Sequence, residues 1–418
     1  MSRARGCALV GLALAAVWAP VGSLSAQTQG GRCAECHRAL EDGSLSEPAI
    51  AWQVDVHGGA GLTCTGCHGG DAAASDAEVA HSGMLARPPH ERIPELCGRC
   101  HSRQEFMRSY DPDIRIDQVE TYYTSVHGQR LLEGDPRVAV CVDCHTAHSI
   151  QRSSETTSST YPPNIPELCG SCHSDAERMA PYGIPTDQLE EYRTSIHHAT
   201  LVDRGDLSAP VCNDCHGNHG AVPPGYDAVG RVCAECHFQI GEYFAQSPHD
   251  SVFVGLERPG CATCHGNHAI EQADDELLGL GERSTCTAAG CHSATDEGGR
   301  TANAMLVLVD SLIRAHARSD SILREAEHAG MPVDEALFEL TQVQNAIVGA
   351  RAVLHTARLD SMRARIDEGL EVARAGFTSG EDAFAELRTR RTGLAVSAAV
   401  IFLLIIGLTI KIRELGKP

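Results

Sequence analysis

The sequence repeats one short arrangement of ligands: two cysteines three positions apart, with a histidine directly after the second. Eight copies of Cys-x-x-Cys-His begin at Cys33, Cys64, Cys97, Cys141, Cys169, Cys212, Cys233 and Cys261. Their second thiols are Cys36, Cys67, Cys100, Cys144, Cys172, Cys215, Cys236 and Cys264, and their histidines His37, His68, His101, His145, His173, His216, His237 and His265. On one helical turn the two thiols share a face, and the histidine, four residues from the first cysteine, shares it too. Such a turn can form two thioethers to the vinyl groups of one porphyrin and bind its iron, so the predicted chemistry is covalent attachment of haem c.

Two blander readings compete. Zinc ribbons also use Cys-x-x-Cys, but they need two pairs per metal and no histidine after each. A disulfide framework would pair the cysteines without placing histidine next to them. A ninth site departs from the pattern: Cys286-Thr287-Ala288-Ala289-Gly290-Cys291-His292 separates its thiols by four residues. Its loop must bulge, and Gly290 eases that. Cys286 and Cys291 with His292 are expected to hold a ninth haem; attachment through Cys291 alone and a Cys286–Cys291 disulfide are the alternatives.

Thirteen histidines lie outside these motifs. Two sets recur in register: His57, His127, His197 and His249 ahead of a motif, and His148, His219 and His268 three residues after a proximal histidine. A histidine at that second offset cannot bind its neighbour's iron, but it can serve the distal side of the next haem. These seven are expected sixth ligands, with His90 or His81 as an eighth. Propionate hydrogen bonding and plain surface exposure are the alternatives for each, and His198 is expected to be a bystander. Two imidazoles on every iron would suit a low-potential carrier and leave no open position for catalysis.

The elements that position these groups follow a larger repeat. Tyr-x-Ser-Val-His (Tyr123 to His127) and Tyr-x-x-Ser-Ile-His (Tyr192 to His197) each precede a motif, and Ile-Pro-Glu-Leu (Ile93, Ile165) introduces another. Four modules of two motifs, with an opening single site at Cys33, account for all nine. The 260 residues from Cys33 to His292 allow about 29 per site, which forces the sites together. Aromatic residues are only 4 % of the 418-residue chain, too few for an ordinary core, so porphyrin rings are expected to fill the interior. Residues 27–300 carry 18 basic and 40 acidic side chains. That balance argues against nucleic acid and is compatible with steering a basic redox partner.

The ends read differently. Met1 to Ala26 has the layout of a signal peptide, residues 1–26, with Arg3 and Arg5 before an apolar run and a small-residue cleavage site. An uncleaved anchor is the alternative. Beyond the haem domain, residues 27–300, cysteine disappears. Met305, Leu308, Leu312, Ala315, Ser319, Ile322 and Ala326 step by three and four. Ala329-Gly330-Met331-Pro332 then turns the chain, and Val343, Ile347, Ala350, Leu354 and Ala357 continue the pattern to about Gly376. This predicts an antiparallel helical hairpin over 301–380, with a break at Gly376 to Gly380. A membrane-entering helix, 381–418, follows. It would carry a span at 393–410, about 27 Å long as a helix, and a short cytoplasmic tail. Polar helix-surface positions are the expectation for His316, His328 and His355, although any of them could cap a late haem.

The fold class expected is therefore mostly α with much irregular structure. The Cys33 to His292 region, about 60 % of the chain, resembles the multihaem cytochrome c superfamily with doubled motifs. That group holds small tetrahaem carriers and, more remotely, octahaem hydroxylamine oxidoreductases and pentahaem nitrite reductases. The resemblance implies covalent haem and electron transfer. The helices after the last motif look like those of the oxidoreductase branch. The Cys-x-x-Cys-Lys site of the nitrite reductases is absent, and no catalytic Arg, Tyr and His set maps onto the sequence. The function expected is a membrane-anchored, extracytoplasmic relay between a quinol-linked membrane donor and a periplasmic redox protein. Direct quinol binding and homo-oligomerisation through the hairpin are further expectations. The alternative is an oxidoreductase acting on a small nitrogen or sulfur compound at one five-coordinate haem, and a structural metal scaffold is the non-redox third.

Overall fold

A computed structural model describes residues 31–416. The expected signal peptide, Met1 to Ala26, lies outside the described residues. Among the described residues the regular structure is helical, with no strand. The chain divides into two compact units: residues up to Tyr123 with His127–Tyr161, and Thr124–Val126 with everything from Pro162 onward.

The first unit is a set of short helices joined by loops. Most attachment motifs form one helical turn of their own, as at Gly31–Arg38, Cys64–His68 and Cys141–His145. In Ile93–His101 a proline occupies the first turn, where its missing N–H costs nothing. One small cluster of buried side chains gathers Ile93, Tyr122, Leu131, Val138 and Val140. Tyr122 donates its hydroxyl to the Ala139 carbonyl at 2.9 Å, and Asp143 accepts from the Val140 N–H at 2.7 Å.

The second unit builds the same arrangement about seventy residues later. Its cluster is Ile165, Leu201, Ala209 and Val211. Tyr192 donates to the Pro210 carbonyl at 3.0 Å, and Asp214 accepts from Val211 N–H at 2.8 Å. Burial pushes the Tyr192 phenol up to about 12, so it stays a donor. The sequence repeat is thus a repeat of packing and of hydrogen bonds. Four or five side chains are little apolar burial for a module of this length.

The large apolar core belongs to the neck. Three helices, Glu297–His328, Asp334–Val353 and Leu359–Leu415, pack on one another around Val309, Leu312, Leu323, Val343, Met362 and Ile366. The first seam is broader than the expected stripe: Val309 and Leu323 are buried, with Leu308 and Ile322 beside them, because this helix faces two partners at once. Gly330, at φ +80°, turns the chain where expected.

Two expectations for 301–380 need correction. The second helix does not run on to Gly376; it stops at Val353, and a tight turn at Leu354–Thr356 with Ala357 left-handed (φ 53°) starts the third. Nor does the chain break at Gly376 to Gly380, since one helix runs from Leu359 to Leu415. Those glycines serve close approach instead. A Cβ on Gly380 would stand 2.7 Å from Ile322 Cγ2, and Gly369, Ala373, Gly376 and Gly380 form one seam of small residues. Along it Ser319 donates to the Ala373 carbonyl at 2.6 Å. The first two helices form the expected hairpin, and the third packs against both of them rather than standing apart, so the neck is a three-helix bundle.

The last stretch of the third helix is long and apolar enough to cross a membrane: over 18 residues its mean hydropathy is 2.6, and none of that stretch is buried. Leu394, Phe402, Leu403 and Leu408 all point outward. Such a face is compatible with a membrane anchor.

Candidate functional site

The motif turns bring histidines together in twos. In the first unit the ring centroids of His37 and His81 are 6.0 Å apart, those of His57 and His101 5.9 Å, and those of His68 and His148 6.0 Å. In the second, His197 and His237 stand at 6.4 Å, His216 and His268 at 6.1 Å, and His249 and His292 at 6.1 Å. Each pair joins one motif histidine to one from outside the motifs. Two imidazoles bound through Nε2 on opposite sides of one metal, each at about 2.0–2.1 Å, would have centroids about 6 Å apart. The donor set therefore fits a haem iron held from both faces. Among the described residues no group of three or more His, Cys, Asp or Glu gathers for a metal, whereas a zinc site uses three or four protein ligands.

The ring nitrogens are oriented for this. His37, His68 and His216 donate Nδ1–H to the carbonyls of Leu45, Leu85 and Val222 at 3.1, 2.8 and 3.3 Å. His81 donates to Ala77 O at 2.7 Å. A donating Nδ1 leaves Nε2 as the free ligand atom. Burial, and next the facing imidazole, lowers His148, His197 and His249 below the usual range. A lowered value favours the neutral ring, the form that ligates a metal.

Backbone bonds set the register of the pairs. The residue before each leading histidine donates its N–H two residues past a trailing one: Val56 to Ile150 O at 2.8 Å, Val126 to Ala221 O at 3.1 Å, and Ile196 to Ile270 O at 2.8 Å. This overturns one expectation. His148 and His268 do not reach forward to the next site; they face His68 and His216, two motifs back. His57, His197 and His249 face histidines of the second motif ahead. His127 and His219 occupy the same registers.

His90 is placed differently from its expectation. Its Nε2 lies 3.3 Å from Asp143 Oδ2, while His81 takes the place opposite His37. Pro88 and Pro89 lead into the short turn His90–Arg92, which directs the ring to Asp143. His198 stacks edge-on against Tyr192 at 5.5 Å, and His316 accepts from Gln344 Nε2 at 3.2 Å.

All eighteen motif cysteines are unbridged, Cys286 and Cys291 included. At the ninth site Ala289 and Gly290 are both left-handed (φ 50° and 71°), which makes the bulge. Thiols of successive motifs adjoin in chain order. In the first unit burial and next Cys33 raise the Cys64 thiol, burial and next Cys100 and Cys97 raise that of Cys67, and Cys97 and Cys141 act on one another. In the second, Cys169 acts on Cys212, Cys236 on Cys215, Cys261 on Cys233, and Cys286 on Cys264. Attachment points thus follow one another as two unbroken rows.

Compared with known proteins, residues 135–238 match the sequence model of the cytochrome c3 family. The matched stretch holds the motifs at Cys141, Cys169, Cys212 and Cys233. The likeness supports multihaem c-type cytochrome chemistry, with covalent haem and electron transfer. No curated protein and no solved structure gives a match to the chain.

Proposed function

We propose that this chain is a membrane-anchored electron relay with about nine haems, working outside the cytoplasm between a quinol-linked membrane donor and a periplasmic redox protein. The observation that carries the reading is the set of histidine pairs at one repeated spacing, with the thiols of successive motifs close enough to influence one another within each unit. When bound, haem c supplies reversible one-electron exchange at its iron. The chain's own part is to attach, orient and enclose. The cysteines would fix each ring by two thioethers; the motif histidine and its partner would grip the metal from both sides and exclude other ligands. Backbone carbonyls hold the imidazoles in the ligating tautomer. His127 and His219 join the ligand set by register. The acidic surface of residues 27–300 would favour a basic partner and speed its docking at low salt.

A reaction at an open ninth site would need the space opposite His292, and His249 stands there. The relay is therefore favoured over an oxidoreductase. Electron paramagnetic resonance of the purified protein tests it: low-spin, six-coordinate ferric iron throughout is the result expected. A high-spin signal in the wild type that shifts with nitrite would overturn it. Intact mass would give the number of haems, and protease treatment of spheroplasts the side on which they lie.

A further inference from the structure

The repeat leaves one site short of a ligand. Trailing histidines sit three residues after a proximal histidine and face a motif two places back, as His148 faces His68 and His268 faces His216. By that rule the partner of His265, in the eighth motif, would follow a tenth motif, and the sequence has none. Three residues after His292 stands Thr295. The backbone lock is missing as well: at the position of Val56, Val126 and Ile196 stands Pro248, which has no N–H to donate.

The geometry points to the neck as the source of that ligand: His355, in the turn between the second and third neck helices, is the distal iron ligand of the eighth haem. Its ring centroid lies 6.2 Å from that of His265 with the planes 29° apart, inside the spacing of the six pairs above. His355 donates Nδ1–H to the Ala352 carbonyl at 3.0 Å, which leaves Nε2 to ligate. The turn that presents it is built for the purpose. Thr356, buried, donates to Val353 O at 2.8 Å and accepts from Arg358 N–H at 3.2 Å, and Ala357 adopts the left-handed conformation. Arg351, one turn earlier, holds Asp275 through two bonds at 2.9 and 2.6 Å. Tyr243 and Leu278 from the haem region pack on the neck core. The neck is thus a structural part of the last haem sites as well as a stalk.

The inference rests on the haem reading above, and the test separates the two. His355→Gly and His355→Met are made in the full-length, haem-loaded protein. His355→Gly is expected to keep its covalent haem mass while one iron per chain becomes high-spin, and added imidazole returns it to low-spin. His355→Met exchanges imidazole for a thioether and raises the midpoint potential of one haem. His316→Gly and His328→Gly, elsewhere on the neck, leave the spectra as in the wild type. If both His355 variants keep the wild-type spin state and potentials, the assignment is overturned while the relay stands. It is equally overturned if His316→Gly or His328→Gly gives the same high-spin signal, since loosening of the neck would then be the cause. A wild type without covalent haem would overturn the relay itself.

Discussion

The Asp55 carboxylate accepts from His57 Nδ1–H at 3.0 Å, and Asp55 is only 2 % exposed. The same carboxylate accepts the His57 N–H at 2.8 Å and the Ile150 N–H at 2.7 Å. Burial works to raise its pKa, but the bonds from His57 and Ile150 outweigh that and hold it below the ordinary carboxylate value. Two other carboxylates near paired imidazoles, Glu191 at His268 and Asp296 at His292, are more exposed and lie at 3.4 and 3.3 Å. Of these three, His57 is the imidazole polarised by a buried charge, and a more basic ligand stabilises ferric iron.

Asp55→Asn should raise the midpoint potential of one haem, the one gripped by His57 and His101, and leave the others in place. Spectroelectrochemical titration checks this. The same change also weakens charge-assisted bonds to Ile150, so unfolding should become easier by about 1.5–3 kcal/mol.

Gly298 lies against the ninth site: a Cβ there would stand 2.2 Å from His292 Cε1. The cheapest relief is rotation of the imidazole. Gly298→Ala should therefore cost little in thermal stability yet displace His292 from its partner His249, and a new high-spin ferric signal is the measurement that shows it.

Replacing Cys286 and Cys291 together by Ser should remove the mass of one porphyrin from the mature chain. Replacing Cys286 alone tests whether Cys291 suffices: full haem mass with an altered pyridine haemochrome band would show attachment through a single thioether. Intact mass spectrometry distinguishes the two.

Leu312, wholly buried in the neck, should cost about 2.7–5 kcal/mol on replacement by Ala. The neck transition moves to lower temperature by calorimetry, while the covalent haem content stays as it was. The attachment turns carry their own local bonds and do not draw on that core.

What the sequence made legible, and what it hid, divides along physical lines. The attachment turns are local: five consecutive residues contain the whole instruction, and each is found as a helical turn or, at the ninth site, a bulge. The alternation of leading and trailing histidines was also readable, because the repeat carries it. Which site each histidine serves was not. His148 faces backward because of a backbone bond between Val56 and Ile150, ninety-four residues apart, and no spacing rule contains that bond. His355 was hidden for a related reason, since Leu354-His355-Thr356-Ala357 contains neither Gly nor Pro to announce a turn. Gly376 and Gly380 misled in the other direction, as a glycine that breaks a helix and one that lets two helices touch look alike until the neighbour is known.

The unbroken third helix has a further consequence. At 1.5 Å per residue, the part from Leu359 to Thr392 is about 50 Å of rod, with the turn bearing His355 at its far end. With the apolar stretch beyond Thr392 seated in a membrane, a rod of that height would hold the turn bearing His355 well clear of the lipid headgroups. On the relay proposed above, a quinol confined to the bilayer would then not meet the eighth site directly, and a donor whose redox centre stands at a comparable height would be needed; shortening the rod by whole heptads should slow reduction by such a donor.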